Sequence, residues 1–156
     1  MPSVENLFPS DLDLEADDEL YTDSDEIAGY KMAPFFDSKS GDFLLNGSGQ
    51  IITADKVTAY AQWCENVIAT DRYNHDGYED YIGIDYEAIF SALTRDEAES
   101  VIESEISEAL ACDPSGRTVY VQSVDCEWHG PDEVTVTVKV EALDNELVTI
   151  ETTIYK

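Results

Sequence analysis

Residues Val134–Val140 read Val-Thr-Val-Thr-Val-Lys-Val and carry the strongest fold signal in the chain. Strict alternation of apolar and polar residues is typical of a β-strand with one face buried and the other in water. Such a strand needs neighbouring strands and a second layer of structure over its apolar face. The pattern therefore predicts an antiparallel sheet that is covered on one side only.

Two further strands flank this one. The segment Thr118–Trp128 is rich in apolar residues, but their phase changes between Val121 and Val124, which predicts a β-bulge. Residues 129–132 (His-Gly-Pro-Asp) form a turn before the valine strand, and a third strand follows at Leu147–Tyr155. We therefore predict a C-terminal three-stranded antiparallel meander.

Three segments before the sheet have apolar residues at helical spacing. Thr53 is placed to cap the first helix and Asp85 the second. The third begins with Thr94 and Glu97, a capping-box pair whose side chains satisfy each other's backbone N–H groups. The apolar stripes are Val57, Tyr60, Ala61, Cys64, Val67 and Ile68; then Tyr86, Ile89, Phe90 and Leu93; then Ala98, Val101, Ile102, Ile106, Ala109 and Leu110. Together these patterns predict an α+β fold with about three helices on one face of the sheet.

The third helix also carries glutamates on its predicted outer face. Glu99 and Glu103 stand one helical turn apart, where like charges repel. We expect packing on the sheet, and not the helix surface, to hold this helix in place. The outer-face residues are Glu97, Glu99, Glu103, Glu105 and Glu108.

The overall charge restricts the choice of partner. The 156 residues include 35 Asp and Glu against 8 Lys and Arg, a formal net charge of −27. Binding to nucleic acid or to an anionic membrane surface needs a surplus of basic residues, so both are excluded as partners. The expected partners are basic protein surfaces.

The charge is unevenly distributed along the chain. Residues 1–29 contain ten acids and no Lys or Arg, which predicts an arm that is extended or becomes ordered on a partner. With 43% apolar residues overall, the remainder is too apolar for disorder. We predict a single α+β domain over residues 30–156 that begins with a short hairpin within Tyr30–Ile52.

The sequence gives no sign of catalytic, metal or cofactor chemistry. The cysteines Cys64, Cys112 and Cys126 are widely spaced, which favours reduced, buried thiols over a metal site. The acidic segment Asn74–Asp80 fails the calcium-loop pattern, because Arg72 and Gly83 would occupy its first and last ligand positions. There is no secretory signal pattern and no apolar run of about 18 residues. We predict a cytosolic, non-enzymatic protein without metal or cofactor.

Several local strings are familiar as a set. These are Met1–Glu15 (MPSVENLFPSDLDLE), Thr70-Asp71-Arg72-Tyr73 at a helix end, Tyr81–Asp85 (YIGID) and the Glu-rich helix over Ile102–Leu110. With the terminal valine-rich meander, the sequence resembles the sheath-initiator proteins of contractile phage baseplates, a family also labelled tail lysozyme. The branch it is most similar to comes from phages and phage-like particles of Gram-positive bacteria.

The resemblance implies a structural protein of the virion tail baseplate, made in the host cytoplasm and present in several copies in a ring. It would join the baseplate to the sheath and nucleate the sheath by accepting sheath arms as added strands. Its partners would be sheath subunits, wedge proteins and, as a further candidate, the tail tube. The wider family carries a Glu-Pro-Arg triplet at wedge contacts, of which only Arg72 has a counterpart here.

The predicted partner-binding residues fall in three groups. Arg72 and Tyr73 would contact the wedge. The last strand of a meander lies at the edge of its sheet, so it can pair with a partner's strand. The edge-strand residues are Leu147, Thr149, Glu151, Thr153 and Tyr155, and those of the acidic arm are Asp11, Asp13 and Glu15.

Three other interpretations stay open at this point. The net charge also suits a DNA mimic that inhibits a nucleic-acid-binding enzyme, although about a third of that charge lies in residues 1–29. The older family label suggests muramidase activity, which would need a specific pair of carboxylates that 35 acids cannot single out. Few lysines beside many acids are also typical of salt-adapted proteins. Inhibition assays, peptidoglycan turnover and KCl-dependent stability respectively test these hypotheses.

Overall fold

The structure is a computed structural model that describes residues 32–74 and 76–156. The arm predicted for residues 1–29 lies outside the described residues. Four short strands come first: β1 (Ala33–Pro34), β2 (Phe36–Asp37), β3 (Asp42–Phe43) and β4 (Thr53–Ala54). Three helices follow: α1 (Lys56–Ile68), α2 (Tyr86–Ser91) and α3 (Arg95–Ala111). The chain continues with β5 (Thr118–Trp128), β6 (Glu133–Ala142), a 3₁₀ turn (Leu143–Asn145) and β7 (Leu147–Tyr155).

The three long strands form an antiparallel sheet in the order β5-β6-β7, so the valine strand is central. All four of its alternating valines are fully buried under the helices, with α3 against β5 and α1 against β7. The β5–β6 register shifts twice, between Thr118 and Tyr120 and between Val121 and Ser123. The predicted α+β fold, the meander and the bulge in its first strand are thus confirmed.

The predicted cap of the first helix is wrong. Asp55 caps α1, since its Oδ1 accepts hydrogen bonds from the backbone N–H groups of Val57 (3.0 Å) and Thr58 (2.9 Å). Thr53 instead pairs with Pro34 in the β1–β4 ladder. Thr53 and Asp55 are both good capping residues, but Thr53 lies in strand β4 and so cannot cap α1.

The second helix is shorter than its apolar stripe predicts. Asp85 caps α2 as expected, but the helix ends at Ser91 and Leu93 is 92% exposed instead of packed. The reason lies in the next cap, where the backbone N–H of Leu93 donates to Glu97 Oε2 (3.0 Å). Thr94 Oγ1 in turn accepts from the N–H of Glu97 (3.2 Å), as predicted for the cap of α3. Only this half of the predicted capping box is confirmed, because Glu97 accepts from Leu93 and not from Thr94, which places Leu93 at the start of α3.

The cysteines are not all buried. Cys64 is fully buried in the core, and burial raises the pKa of its thiol to about 12. Cys126 is half-buried, and burial raises its pKa to about 11. Cys112 is exposed, so the prediction of three buried thiols is wrong there, because this residue ends α3 where the chain turns towards the sheet.

Residues 32–54 form a small unit against α1. It contains two antiparallel strand pairs, β1 with β4 and β2 with β3, where a short hairpin was predicted. With two residues per strand, these ladders bury few side chains. Several large apolar residues of the unit are therefore exposed, namely Met32, Phe43, Leu44, Leu45, Ile51 and Ile52.

Candidate partner-binding site

Among residues 32–74 and 76–156 no strand pairs with the outer edge of β7, and this free edge is the first candidate site. Outside the strand itself, the N–H of Lys156 donates to the carbonyl of Asp132 (3.0 Å), and the N–H of Ala142 donates to that of Glu146 (2.8 Å). Because facing directions alternate in an antiparallel ladder, the even-numbered residues of β7 turn their backbone groups towards β6. The odd-numbered residues turn theirs towards the free edge. These are the five predicted edge-strand residues, Leu147, Thr149, Glu151, Thr153 and Tyr155.

The two edges of the sheet differ in regularity. β7 pairs with β6 without interruption over nine residues, from Leu147 opposite Glu141 to Tyr155 opposite Glu133. The other edge strand, β5, contains both register shifts, and such bulges interrupt the regular row of backbone groups that a new strand needs. β7 also contains neither proline nor lysine, two residues that commonly prevent another strand from pairing with a sheet edge. It is therefore the better template for strand addition.

The face of the sheet opposite α1 and α3 is polar and acidic. A chain of hydrogen bonds crosses it from His129 Nε2 to Thr135 Oγ1 (2.9 Å) and on to Thr153 Oγ1 (3.0 Å). The strand registers place five carboxylates and one ammonium group on this face. Those residues are Asp125, Glu127, Glu133, Glu141, Glu151 and Lys139. A partner that lies over this face would be favoured by positive charge.

Arg72 lies inside the molecule and ties the segment after α1 to α3. It is 8% exposed, and its Nε donates to the carbonyl of Gly83 (3.0 Å). Its Nη1 lies 3.5 Å from Glu108 Oε1 and its Nη2 lies 3.5 Å from Glu105 Oε2. Nη2 is buried without a hydrogen bond of good geometry, so the contact with Glu105 is electrostatic. A wedge contact through Arg72 stays a prediction.

The position of Glu105 differs from the expectation that it faces water. Besides Arg72, it accepts a hydrogen bond from the backbone N–H of Asp85 (2.9 Å), at the start of α2. Glu99 likewise accepts from Trp128 Nε1 (3.1 Å). The predicted outer face is thus wrong for both residues, because α2 and the end of β5 lie against that side of α3.

Tyr73, the other predicted wedge contact, is exposed beside this anchor. Its ring is 69% exposed and its backbone is in the left-handed region, with φ of 70°. That conformation costs a residue with a side chain about 1–2 kcal/mol, so the surrounding contacts must hold it there. Tyr73 is thereby presented on a well-fixed segment, and its contact with a partner stays a prediction.

Gly83 allows two segments to approach each other closely. Its φ is +94°, and a Cβ at this position would lie 2.5 Å from the carbonyl oxygen of Thr70. The N–H of Ile84 donates to that same oxygen (3.0 Å), and the N–H of Arg72 donates to the carbonyl of Ile84 (2.8 Å). This approach brings Asp71 to α2. Sequence reasoning missed it, although the glycine in Tyr81–Asp85 was a usable signal.

A second buried arginine closes the opposite end of the sheet. Arg117 forms a bidentate ion pair with Asp113, with both N–O distances 2.8 Å. The Arg117 guanidinium lies 5.1 Å from the ring centroid of Tyr60 and 5.3 Å from that of Trp63. Sequence reasoning missed this pair, whose signal was the Asp-x-x-x-Arg spacing before β5. Because its groups are buried, the pair supports the fold and is not a partner surface.

Some candidates could not be compared with the structure. Asp11, Asp13 and Glu15 lie outside the described residues, as does His75 of the segment tested as a calcium loop. Over residues 32–74 and 76–156, no group of three or more His, Cys, Asp or Glu side chains is arranged to hold a metal ion. Within the same ranges, no helix has the length and apolarity needed to cross a membrane.

Comparison with known proteins identifies the family. The family model described as contractile injection system sheath initiator matches residues 32–145, more than two thirds of the chain. This range includes both segments that carry the resemblance around Arg72 and α3. No curated protein matches the sequence. The chain belongs to the contractile injection system sheath-initiator family.

Proposed function

We propose that this sheath initiator joins the baseplate to the sheath and nucleates sheath assembly by accepting sheath arms as strands added to β7. Family membership supports a role in sheath assembly of a contractile injection system. The observation that carries the finer proposal is the uninterrupted edge of β7, whose odd-numbered residues direct their N–H and C=O groups outwards. The family match favours this function over a DNA mimic, a hypothesis that used net charge alone.

Strand addition can supply useful affinity at this edge. Each backbone hydrogen bond contributes about 0.5–1.5 kcal/mol net, so several together offset part of the cost of ordering a partner's arm. Main-chain bonds alone give little selectivity, which would come from side chains beside the edge. Thr149 and Glu151 are exposed there, next to the acidic face of the sheet. A basic, strand-forming arm fits this combination.

The remaining surfaces suit other neighbours in the same assembly. The exposed ring of Tyr73 and the segment fixed by Arg72 would meet wedge proteins, while residues 1–29 would bind basic faces of wedge, sheath or tube subunits. Each particle would carry several copies in a ring, so weak contacts would add through multivalency. We propose a structural role without catalysis, in the tail baseplate, for a protein made in the host cytoplasm.

A pair of substitutions at Thr149 tests the proposal. Thr149→Pro removes one outward-facing N–H and leaves the β6–β7 hydrogen bonds in place, whereas Thr149→Ala removes the side chain and keeps that N–H. We expect Thr149→Pro to abolish sheathed tails in electron micrographs and to weaken binding of synthetic sheath-arm peptides about tenfold or more. Thr149→Ala should resemble the wild type in both assays.

Folding must be checked separately for these variants. Circular dichroism and thermal unfolding should give Thr149→Pro a cooperative transition within a few degrees of that of Thr149→Ala. A folded Thr149→Pro variant that still produces normally sheathed tails would show that the edge of β7 does not accept sheath arms.

A further inference from the structure

We infer that a cavity at the end of β7 binds a cationic side chain, arginine or lysine, of the arm that adds to this strand. The inference rests on the proposed function, because it assigns a side-chain subsite to the same added strand. The cavity has a volume of about 600 Å³ and lies between α2, the segment after α1 and the end of β7. Tyr155 and Lys156 line it. An arm paired along β7 therefore reaches its mouth.

The apolar part of the cavity is aromatic. Tyr86, Phe90 and Tyr155 all line it. Phe90 is fixed edge-on against Trp128 with ring centroids 6.3 Å apart, and the hydroxyl of Tyr86 donates to the carbonyl of Ile68 (3.1 Å). Aromatic rings attract cations through their faces and also pack against the methylene stem of a long basic side chain. This wall favours arginine or lysine over a small polar residue.

The polar part of the cavity is anionic. Asp71 and Glu87 both line it, and Asp71 is held in place by the N–H of Tyr86 (3.3 Å) and by Asn74 Nδ2 (3.2 Å). Lys156 also lines the cavity, but no ion pair within the described residues joins it to either carboxylate. Two carboxylates against one ammonium group disfavour an anionic ligand and favour a cation.

The phenol of Tyr86 adds no competing charge. Burial, with a smaller contribution from the charge of Asp71, raises its pKa to about 12. Tyr86 is therefore neutral at physiological pH. The cavity thus combines the rings of Tyr86 and Phe90, which other contacts hold in place, with the Asp71 carboxylate, which is hydrogen-bonded before any ligand binds. This limits the ordering cost of binding.

The first experiment is a double-mutant cycle between chain and arm. The probe is a synthetic sheath-arm peptide, in which each arginine or lysine is replaced in turn by norleucine. We expect one replacement to weaken binding about tenfold by calorimetry, and Glu87→Lys to weaken binding of the unmodified peptide by a similar factor. The two changes should not be additive. Glu103→Lys, at an exposed position on α3, is the matched control and should have a smaller, salt-dependent effect.

The second experiment uses a probe that does not need strand addition. Titration of N-acetyl-arginine amide should shift the amide NMR signals of Glu87 and Tyr155, with N-acetyl-citrulline amide as the uncharged control. These shifts should disappear in Glu87→Lys but persist in Glu103→Lys. Equal shifts with both compounds, or with both variants, would overturn the inference.

The outcomes separate the two proposals. If Thr149→Pro abolishes peptide binding while Glu87→Lys and every peptide replacement leave it unchanged, strand addition stands and the cationic subsite is wrong. If no arm peptide binds the wild type, the peptide test of strand addition fails. In that case the titration with N-acetyl-arginine amide is the test of whether the cavity binds a cation.

Discussion

Two buried arginines, Arg117 and Arg72, differ in how well their guanidinium groups are paired. Where β5 begins, Arg117 meets Asp113 at 2.8 Å through two parallel bonds and lies over two aromatic rings. On the segment after α1, Arg72 makes one good hydrogen bond, to Gly83, and approaches its carboxylates only to 3.5 Å. We call the region around Arg117 the closed end, and the region around Arg72, whose neighbour Asp71 lines the cavity, the open end. One buried arginine is therefore fully paired with its carboxylate, whereas the other is held mainly by one backbone carbonyl.

The largest expected effect is at the closed end. Asp113→Ala leaves the Arg117 guanidinium buried without a counterion, which typically costs about 3–5 kcal/mol. Urea unfolding should show this loss in the free energy of unfolding. The double variant Asp113→Ala/Arg117→Met removes both charges and should recover part of it. A loss below about 1 kcal/mol for Asp113→Ala would mean that the two ends are equivalent.

The same ion pair should respond to pH in a defined direction. Burial opposes ionisation of Asp113, but hydrogen bonds from Arg117 outweigh it and hold the pKa of this carboxyl below its usual range. A depressed folded-state pKa stabilises the fold fully above the unfolded value of about 3.9, and that stabilisation is lost as the pH falls through the folded value.

The pH test is a difference between two proteins. The gap in unfolding free energy between wild type and Asp113→Asn should stay constant from about pH 7 to pH 5 and should shrink below about pH 4. Repulsion among the other acids relaxes equally in both proteins and cancels in the gap. A gap that is unchanged at acid pH would contradict the assignment.

At the open end, the close approach of two backbone segments at Gly83 should contribute more to the free energy of unfolding than the side-chain contacts of Arg72. Gly83→Ala places a Cβ 2.5 Å from the carbonyl oxygen of Thr70 in a left-handed backbone, which we expect to cost about 2–3 kcal/mol. Gly77→Ala is the matched control in the same loop, because a Cβ there has no neighbour within 4 Å. Thermal unfolding of both variants is the measurement. Equal melting temperatures would show that Gly83 is not required.

Removal of the open-end arginine should have the smallest effect. Arg72→Met keeps most of the stem but loses the bond to Gly83, so we expect a cost of about 1–2 kcal/mol. Loss of the ion pair with Glu108 should reduce stability little, because the Glu108 side chain is 65% exposed and its charge is screened by water. Arg95→Met, at an exposed arginine over Trp128, is a control with a smaller change. A loss as large as that of Asp113→Ala would remove the contrast between the ends.

Much of the architecture could be predicted from local patterns. The alternating valines and the phase change in β5 each correspond to one local geometry, and both predictions are confirmed. Thr94 caps α3 as predicted, but Glu97 accepts from the N–H of Leu93 and not from that of Thr94. Errors occurred where two local solutions competed. Asp55 caps α1 in place of Thr53, because Thr53 pairs in the β1–β4 ladder. Leu93 lies outside α2, because its N–H donates to Glu97 at the start of α3.

The candidate site was only partly predictable. The position of the five edge-strand residues could be predicted, because a terminal strand in a meander lies at an edge and its alternate residues share one direction. Their contact with a partner stays a prediction. The cavity was not found, since its walls come from three segments that are distant in sequence. Glu105 was misplaced for the same reason, because its partners Arg72 and Asp85 belong to other elements.

Local patterns of apolar residues are sufficient to set the layers of this protein. An alternation with a period of two must place the four valines of β6 on one face, and helical stripes must pack on that face. Only the tertiary structure decided which edge is regular and which arginine is fully paired. Strand register and ion-pair geometry depend on the relative positions of distant segments, and shifts of less than 1 Å separate the 2.8 Å contact of Arg117 from the 3.5 Å contacts of Arg72.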